Sequence, residues 1–209
     1  MKQLLAALLI ILTLSSCKKD DKTTAEVPNY FPSTVGSNWT YQPSQGGAYT
    51  ITATSRDTMA LGINYKVYTS TDGQNRYRTR VNNDYFQFLA IPQILPNGVN
   101  ELYLKDNQPV GATWSLSQSV MVPNIPFPVS ISLAYSIKTK DTSMTVNNKA
   151  FTKVIKVGQD ISVQGFGNIG SGSFFYADKV GLIKSEVNIA IPGQPATSAS
   201  ETLLSYEIK

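Results

Sequence analysis

This chain predicts an all-β, mainly antiparallel fold arranged as a curved sheet, half-barrel or sandwich, and three observations carry that prediction. Segments rich in β-branched and aromatic residues recur from position 48 to position 208. Several alternate apolar with polar side chains, as in Thr50-Ile51-Thr52-Ala53-Thr54 and Tyr135-Ser136-Ile137-Lys138-Thr139-Lys140. That period of two is expected of a strand with one buried face and one wet face. Turn formers separate the segments, and short connections favour antiparallel meanders because parallel neighbours need crossovers of about a dozen residues or more.

In order, strands are predicted at residues 48–56, 65–70, 76–81, 85–89, 101–104, 131–140, 151–157, 173–177, 182–189 and 203–208. Asp72-Gly73, Asn82-Asn83, Asn97-Gly98, Asn147-Asn148 and Gly193 read as the turns between them. Within the third segment, alternation puts Arg76, Arg78 and Arg80 on one face and Tyr77, Thr79 and Val81 on the other. A solvated strand face is the expectation for those arginines, with an anion or acidic-glycan contact surface as the alternative.

Residues 1–16 have a different character. Lys2 precedes the uncharged run Leu4 to Leu14, eleven residues long. That length suits a signal-peptide core and falls well short of the ~20 residues that span a bilayer as a helix. Leu14-Ser15-Ser16-Cys17 then places the single cysteine after two small residues. The spacing predicts cleavage between Ser16 and Cys17, with lipid attached to Cys17. Three acyl chains at ~0.8 kcal/mol per buried CH₂ make such an anchor effectively permanent. Residues 17–28 read as a flexible tether, beginning with Lys18-Lys19-Asp20-Asp21-Lys22-Thr23-Thr24. Its spacer reaches roughly 35 Å when fully extended. Residues 29–209 form the β domain.

The charge balance is close to neutral. Loss of Lys2 with the signal lowers the formal charge from +4 to +3. The basic residues are spread singly, so no nucleic-acid partner is expected. With one cysteine no disulfide forms within the chain, and the domain must be held by its core.

The chain also echoes itself. Val35-Gly36-Ser37-Asn38-Trp39-Thr40-Tyr41 parallels Val110-Gly111-Ala112-Thr113-Trp114-Ser115-Leu116, and these contain both tryptophans. Tyr49-Thr50-Ile51 parallels Tyr135-Ser136-Ile137, and Tyr65-Lys66-Val67 loosely parallels Phe151-Thr152-Lys153-Val154. An internal repeat of 30–105 and 106–209 would give two related halves; general likeness among β segments is the alternative.

The N-terminus, with its cysteine and following charged cluster, resembles secreted lipoproteins of Bacteroidetes. There a lysine followed by two acids, as in Lys19-Asp20-Asp21, implies export to the outer face, with the inner leaflet as the alternative. The opening Tyr30-Phe31-Pro32 with Val35-Gly36-Ser37-Asn38-Trp39-Thr40-Tyr41, and the late Tyr176-Ala177-Asp178-Lys179-Val180-Gly181-Leu182-Ile183-Lys184, resemble a group of uncharacterised bacterial lipoproteins. The resemblance implies a lipid-anchored outer-membrane protein, periplasmic or at the cell surface, with a curved antiparallel sheet similar to lipoprotein carriers. It carries no ligand-binding residues across.

No histidine is present, which excludes Ser-His and Cys-His nucleophile systems and histidine metal sites. Asp72, Asp84, Glu101, Asp141, Asp160 and Glu186 leave a carboxylate-pair glycan hydrolase formally open. Most sit beside turn residues, where short acids bond the local backbone. Asp72-Gly73-Gln74-Asn75 lacks the dense acidic loop of a calcium site. Gly165-Phe166-Gly167-Asn168-Ile169-Gly170 matches a dinucleotide fingerprint in letters alone, because no helix pattern follows it. Two proline-rich apolar loops stand out, residues 88–96 and 120–129. They either cover an open sheet edge or line a ligand mouth formed by Ile91, Ile94, Leu95, Val122, Ile125 and Phe127.

These observations predict a membrane-anchored, non-enzymatic binding or structural module of the envelope, with no cofactor and no metal. Its partners would be the membrane through Cys17 and an envelope protein, a glycan or a hydrophobic ligand. A carrier of a lipid-like molecule and an unusual glycan hydrolase are the alternatives. Cys17→Ser is expected to abolish metabolic acyl labelling; labelling that persists would refute the lipid assignment.

Overall fold

The computed structural model describes residues 27–92, 95–121 and 127–209. The predicted signal peptide and its cleavage at Ser16 and Cys17, most of the tether, and Ile94, Val122 and Ile125 therefore lie outside the described residues. Twelve strands form the domain: β1 (Asn38–Pro43), β2 (Tyr49–Ala60), β3 (Ile63–Ser70), β4 (Arg76–Val81), β5 (Asp84–Ile91), β6 (Leu95–Lys105), β7 (Thr113–Val120), β8 (Val129–Val146), β9 (Lys149–Val163), β10 (Gly167–Ala177), β11 (Gly181–Ile189) and β12 (Thr197–Glu207). No helix occurs among the described residues.

All twelve belong to one antiparallel sheet in the order β6-β5-β4-β3-β2-β1-β12-β11-β10-β9-β8-β7. Every sequential pair is a hairpin neighbour except β6 and β7, and the first strand pairs with the last from Asn38↔Glu207 to Pro43↔Glu201. The sheet is thus a nearly closed up-and-down barrel whose seam falls in mid-chain, not between the termini. Side chains bridge that seam. The Trp114 indole N–H donates to the Leu102 carbonyl at 2.7 Å, the Lys140 ammonium to the Asp106 carbonyl at 2.6 Å, and the Tyr135 hydroxyl to Glu101.

The prediction identified ten of these strands and omitted β1 and β7. Both are short and begin in the Val-Gly-x-x-Trp stretches, whose polar residues hide the alternation. Those stretches carry the same backbone bonds. Gly36 N–H donates to Ala53 O and Ala53 N–H returns to Ser37 O, both at 2.9 Å; Gly111 N–H donates to Ile137 O at 2.9 Å and Ile137 N–H to Ala112 O at 3.0 Å. By this bonding Ile51, which faces Trp39, corresponds to Tyr135, which faces Trp114. The sequence match of Tyr49 with Tyr135 is displaced by two residues.

A second correction concerns Asn97-Gly98, which is not a hairpin turn but an irregular stretch inside β6, opposite a register shift in β5 between Leu89 and Ile91. Gly98 has φ +66°, and a Cβ there would lie 2.2 Å from the Phe88 ring. Glycine lets that ring close over the backbone, next to Tyr65 and Tyr77 on the face opposite the arginines. The Gly165–Gly170 stretch, by contrast, turns between β9 and β10 and continues directly as strand, so no dinucleotide geometry exists there.

The barrel has two distinct ends. Residues 28–37 run across one end: Lys179 N–H donates to Asn29 O at 2.6 Å, Arg80 reaches Pro28 O at 3.0 Å, and Tyr30 and Phe31 are buried inside. The turns at residues 61–62, 82–83, 147–148 and 178–180 lie at this plugged end, with the β6–β7 connection. The opposite rim carries the turns at residues 71–75 and 164–166 and the tips of the β5–β6 and β7–β8 hairpins.

Gly98→Ala is expected to destabilise the domain by about 2 kcal/mol or more, from positive-φ strain plus the ring clash. Gly73→Ala, which has the same sign of φ (+81°) but no atom within 4 Å of the new Cβ, should cost about 1 kcal/mol. Urea unfolding midpoints check the difference.

Candidate functional site

The arginine face of β4 points into the barrel, which corrects the expectation of a solvated surface. β4 lies between β3 and β5, and its register puts Arg76 beside Tyr68, Arg78 beside Lys66 and Gln87, and Arg80 beside Tyr85. Tyr68 and Tyr85 are core residues, so the face they share with the arginines is the inner one. Alternation is blind to this because it shows which residues share a face, not which face is wet.

Each arginine meets a different environment. Arg76 pairs with Asp72 at 2.7 Å near the rim and lies over the Tyr49 ring. Arg80 lies over the Tyr85 ring and pairs at 3.0 Å with Asp106, whose carboxylate also accepts the Tyr85 hydroxyl at 2.6 Å. Asp106 is 7% exposed, so Arg80 supplies the charge that a buried carboxylate needs. Arg78 sits between them, half-buried, with Tyr41, Tyr68, Tyr103 and Tyr176 around it.

Arg78 borders a small interior cleft at the plugged end, whose walls include Tyr30, Trp39, Tyr68, Tyr103 and Tyr176. Water centres can reach about 20 Å³ of it. Trp39 fills the neighbouring space, with its indole N–H donating to Val180 O at 2.8 Å. Most tyrosine hydroxyls around the interior are committed: Tyr30 to Lys153 O at 3.1 Å, Tyr41 to Leu182 O at 3.0 Å, and Tyr68 to Pro32 O at 3.2 Å.

A second polar group lies toward the seam. Glu101, 6% exposed, accepts the Tyr135 hydroxyl on one oxygen and the Gln87 amide at 2.6 Å on the other. Gln159 donates to the Tyr135 oxygen at 3.0 Å, and the Trp114 and Tyr135 rings stack at 5.6 Å. Sequence reasoning named Glu101 only as one of six scattered acids. The structure does not gather the six: Asp84 pairs with Lys105, Glu186 with Lys184, Asp72 with Arg76, Asp160 is exposed, and Asp141 occupies a bulge in β8 with φ +55°. Among the described residues no group of three or more Cys, Asp or Glu could hold a metal.

Of the predicted apolar mouth, Ile91 is 50% and Phe127 62% exposed, while Leu95 is half-buried. They stand on the β5–β6 and β7–β8 hairpin tips, which the topology brings to the same rim on either side of the seam. They do not line the interior cleft.

No family model matches the chain, and no curated protein matches it. Solved structures do. The fold is similar to that of a presumed lipoprotein from Parabacteroides distasonis ATCC 8503, with TM-score 0.51 at 14% identity, covering 87% of this chain and 100% of that one. A presumed exported protein of YmcC-like fold from Bacteroides fragilis NCTC 9343 gives TM-score 0.45 at 13% identity, over 87% of this chain and 100% of that one. The hypothetical lipoprotein YmcC from Escherichia coli K12 gives 0.44 at 9%, over 81% and 83%. At these identities the likeness is one of fold.

Nine of the eleven tyrosines have raised pKa values. Burial pushes Tyr65 and Tyr103 up to about 12, the latter against the pull of Arg78. The folded state therefore holds protons that the unfolded chain releases near pH 10. The stabilisation is complete below that value and is lost as pH rises through 12 and beyond. Most tyrosinate absorbance is expected to appear together with loss of the far-ultraviolet circular dichroism signal above pH ~11. Ionisation of most tyrosines before unfolding would contradict it.

Proposed function

We propose that this chain is a lipid-anchored, non-enzymatic module of the outer envelope, a rigid barrel that holds one rim away from the membrane as a docking surface for an envelope protein. The observation that carries the reading is the exposed apolar far rim. At the plugged end the cleft holds about 20 Å³, far below the hundreds of Å³ that a lipid-like cargo occupies. Hollows of about 250, 280 and 400 Å³ lie toward the far rim and are open to its surface, so contact with a partner falls there. The hydrolase reading gains nothing from acids engaged separately with Lys105, Lys184 and Arg76.

The two rims suit different surroundings. Residues 28–37 leave the plugged end, so a tether on Cys17 would hold that end, with its exposed Met59, Leu61 and Val110, nearest the bilayer. The far rim then presents Ile91, Phe127, Phe166 and Ile191, all at least 43% exposed, on successive hairpin tips. Exposed aromatic and aliphatic anchors above a rigid base are the features from which binding hot spots are built.

A photo-crosslinking residue in place of Phe127 is expected to capture a discrete envelope protein in intact cells, and the same residue in place of Leu61 is not. Capture at Leu61 alone, or at neither position, would remove the proposal.

A further inference from the structure

Three polar groups border the interior cleft with no hydrogen-bond or ion-pair partner among the described residues. Among the described residues no hydrogen bond or ion pair engages the Arg78 guanidinium, whereas Arg76 and Arg80 on the same face both have carboxylates. Tyr103 and Tyr176 are 7% and 6% exposed, with rings 5.5 Å apart, and neither hydroxyl bonds to protein. None of these groups is among the buried atoms sealed from any space, so each keeps accessible surface. A guanidinium is a donor only, and a phenol hydroxyl with no acceptor nearby is free to donate.

We propose that the Arg78 cleft is a binding site for one compact anion of halide size, held by the guanidinium with the hydroxyls of Tyr103 and Tyr176 as further donors. Charge favours it: a half-buried guanidinium that meets no carboxylate among the described residues leaves its donors to water or to an anion. Glu101 does not meet that need. The register Arg78↔Gln87↔Glu101 puts two strand spacings, about 10 Å, between the two backbones. The Glu101 oxygens are already held by Tyr135 and Gln87.

Size selects the ligand. Holding a water takes ~10–15 Å³ of space reachable by its centre. The cleft offers about 20 Å³, which admits a single small ion and not a sugar acid, a phosphate ester or a lipid headgroup. The site is independent of the apolar rim, so either proposal can fail without the other.

The test uses the full-length chain in detergent, with chloride exchanged for gluconate at constant ionic strength. Thermal unfolding is expected to shift upward with chloride, as linkage requires of a ligand that binds only the folded state. The chloride-35 resonance should broaden in the presence of the folded protein. Arg78→Met should abolish both effects. Because that variant could fail to fold, Tyr103→Phe/Tyr176→Phe provides a second arm that keeps the aromatic volume. It should weaken the apparent chloride affinity about tenfold or more, the factor expected for lost hydrogen bonds to a charged group. Equal unfolding temperatures in chloride and gluconate with no chloride-35 broadening would overturn the site. So would a chloride response that the folded double phenylalanine variant retains in full.

Discussion

Filling the lumen is the constraint on which the rest of this structure depends. A closed sheet of about eight strands is just wide enough for its own side chains to fill, and twelve strands enclose more. Toward the plugged end and the seam this chain meets the requirement with tyrosine. Tyr30, Tyr68, Tyr85 and Tyr135 are at most 2% exposed, and Tyr103 reaches from β6 to Tyr176 on β10. A phenylalanine core would fill the same volume, but tyrosine also carries a donor to a distant carbonyl or carboxylate, so its bonds span strands that no backbone ladder joins. Those bonds explain how a wide barrel without helix or disulfide keeps one arrangement of its walls.

Closure follows from where the termini lie. Pairing β1 with β12 places the first and last strands inside the sheet and moves the open edges to β6 and β7, at mid-chain. Edges of that kind invite pairing with other chains. Here Trp114, Tyr135 and Lys140 reach across and use carbonyls or the carboxylate of the facing strand and its connection. The same topology makes the ends unequal, because residues 28–37 must cross one of them before β1 begins.

The charges inside the barrel are distributed with equal economy. Arg80 and Asp106 neutralise each other beside Tyr85, and Glu101 is held by neutral donors at the seam. Such groups contribute little net stability relative to an apolar core. They do penalise any register in which one partner is missing. Among the described residues Arg78 is the member of this set that meets no carboxylate, and it lies beside a small cleft bordered by tyrosines.

What the sequence determined by itself was local. Alternation located β2 and β8, paired asparagines marked the two-residue turns at 82–83 and 147–148, and the Val-Gly-x-x-Trp stretches pointed to the openings of β1 and β7. The face shared by Arg76, Arg78 and Arg80 was equally legible. Tertiary structure decided which side of that face is the interior, because a strand's period is the same whether the barrel wraps around it or leaves it outside. It also decided that Asn97-Gly98 is a bulge under the Phe88 ring, and that Glu101 bonds Tyr135 across the seam. Both depend on residues brought together by sheet closure, between positions that share no local signal in the chain.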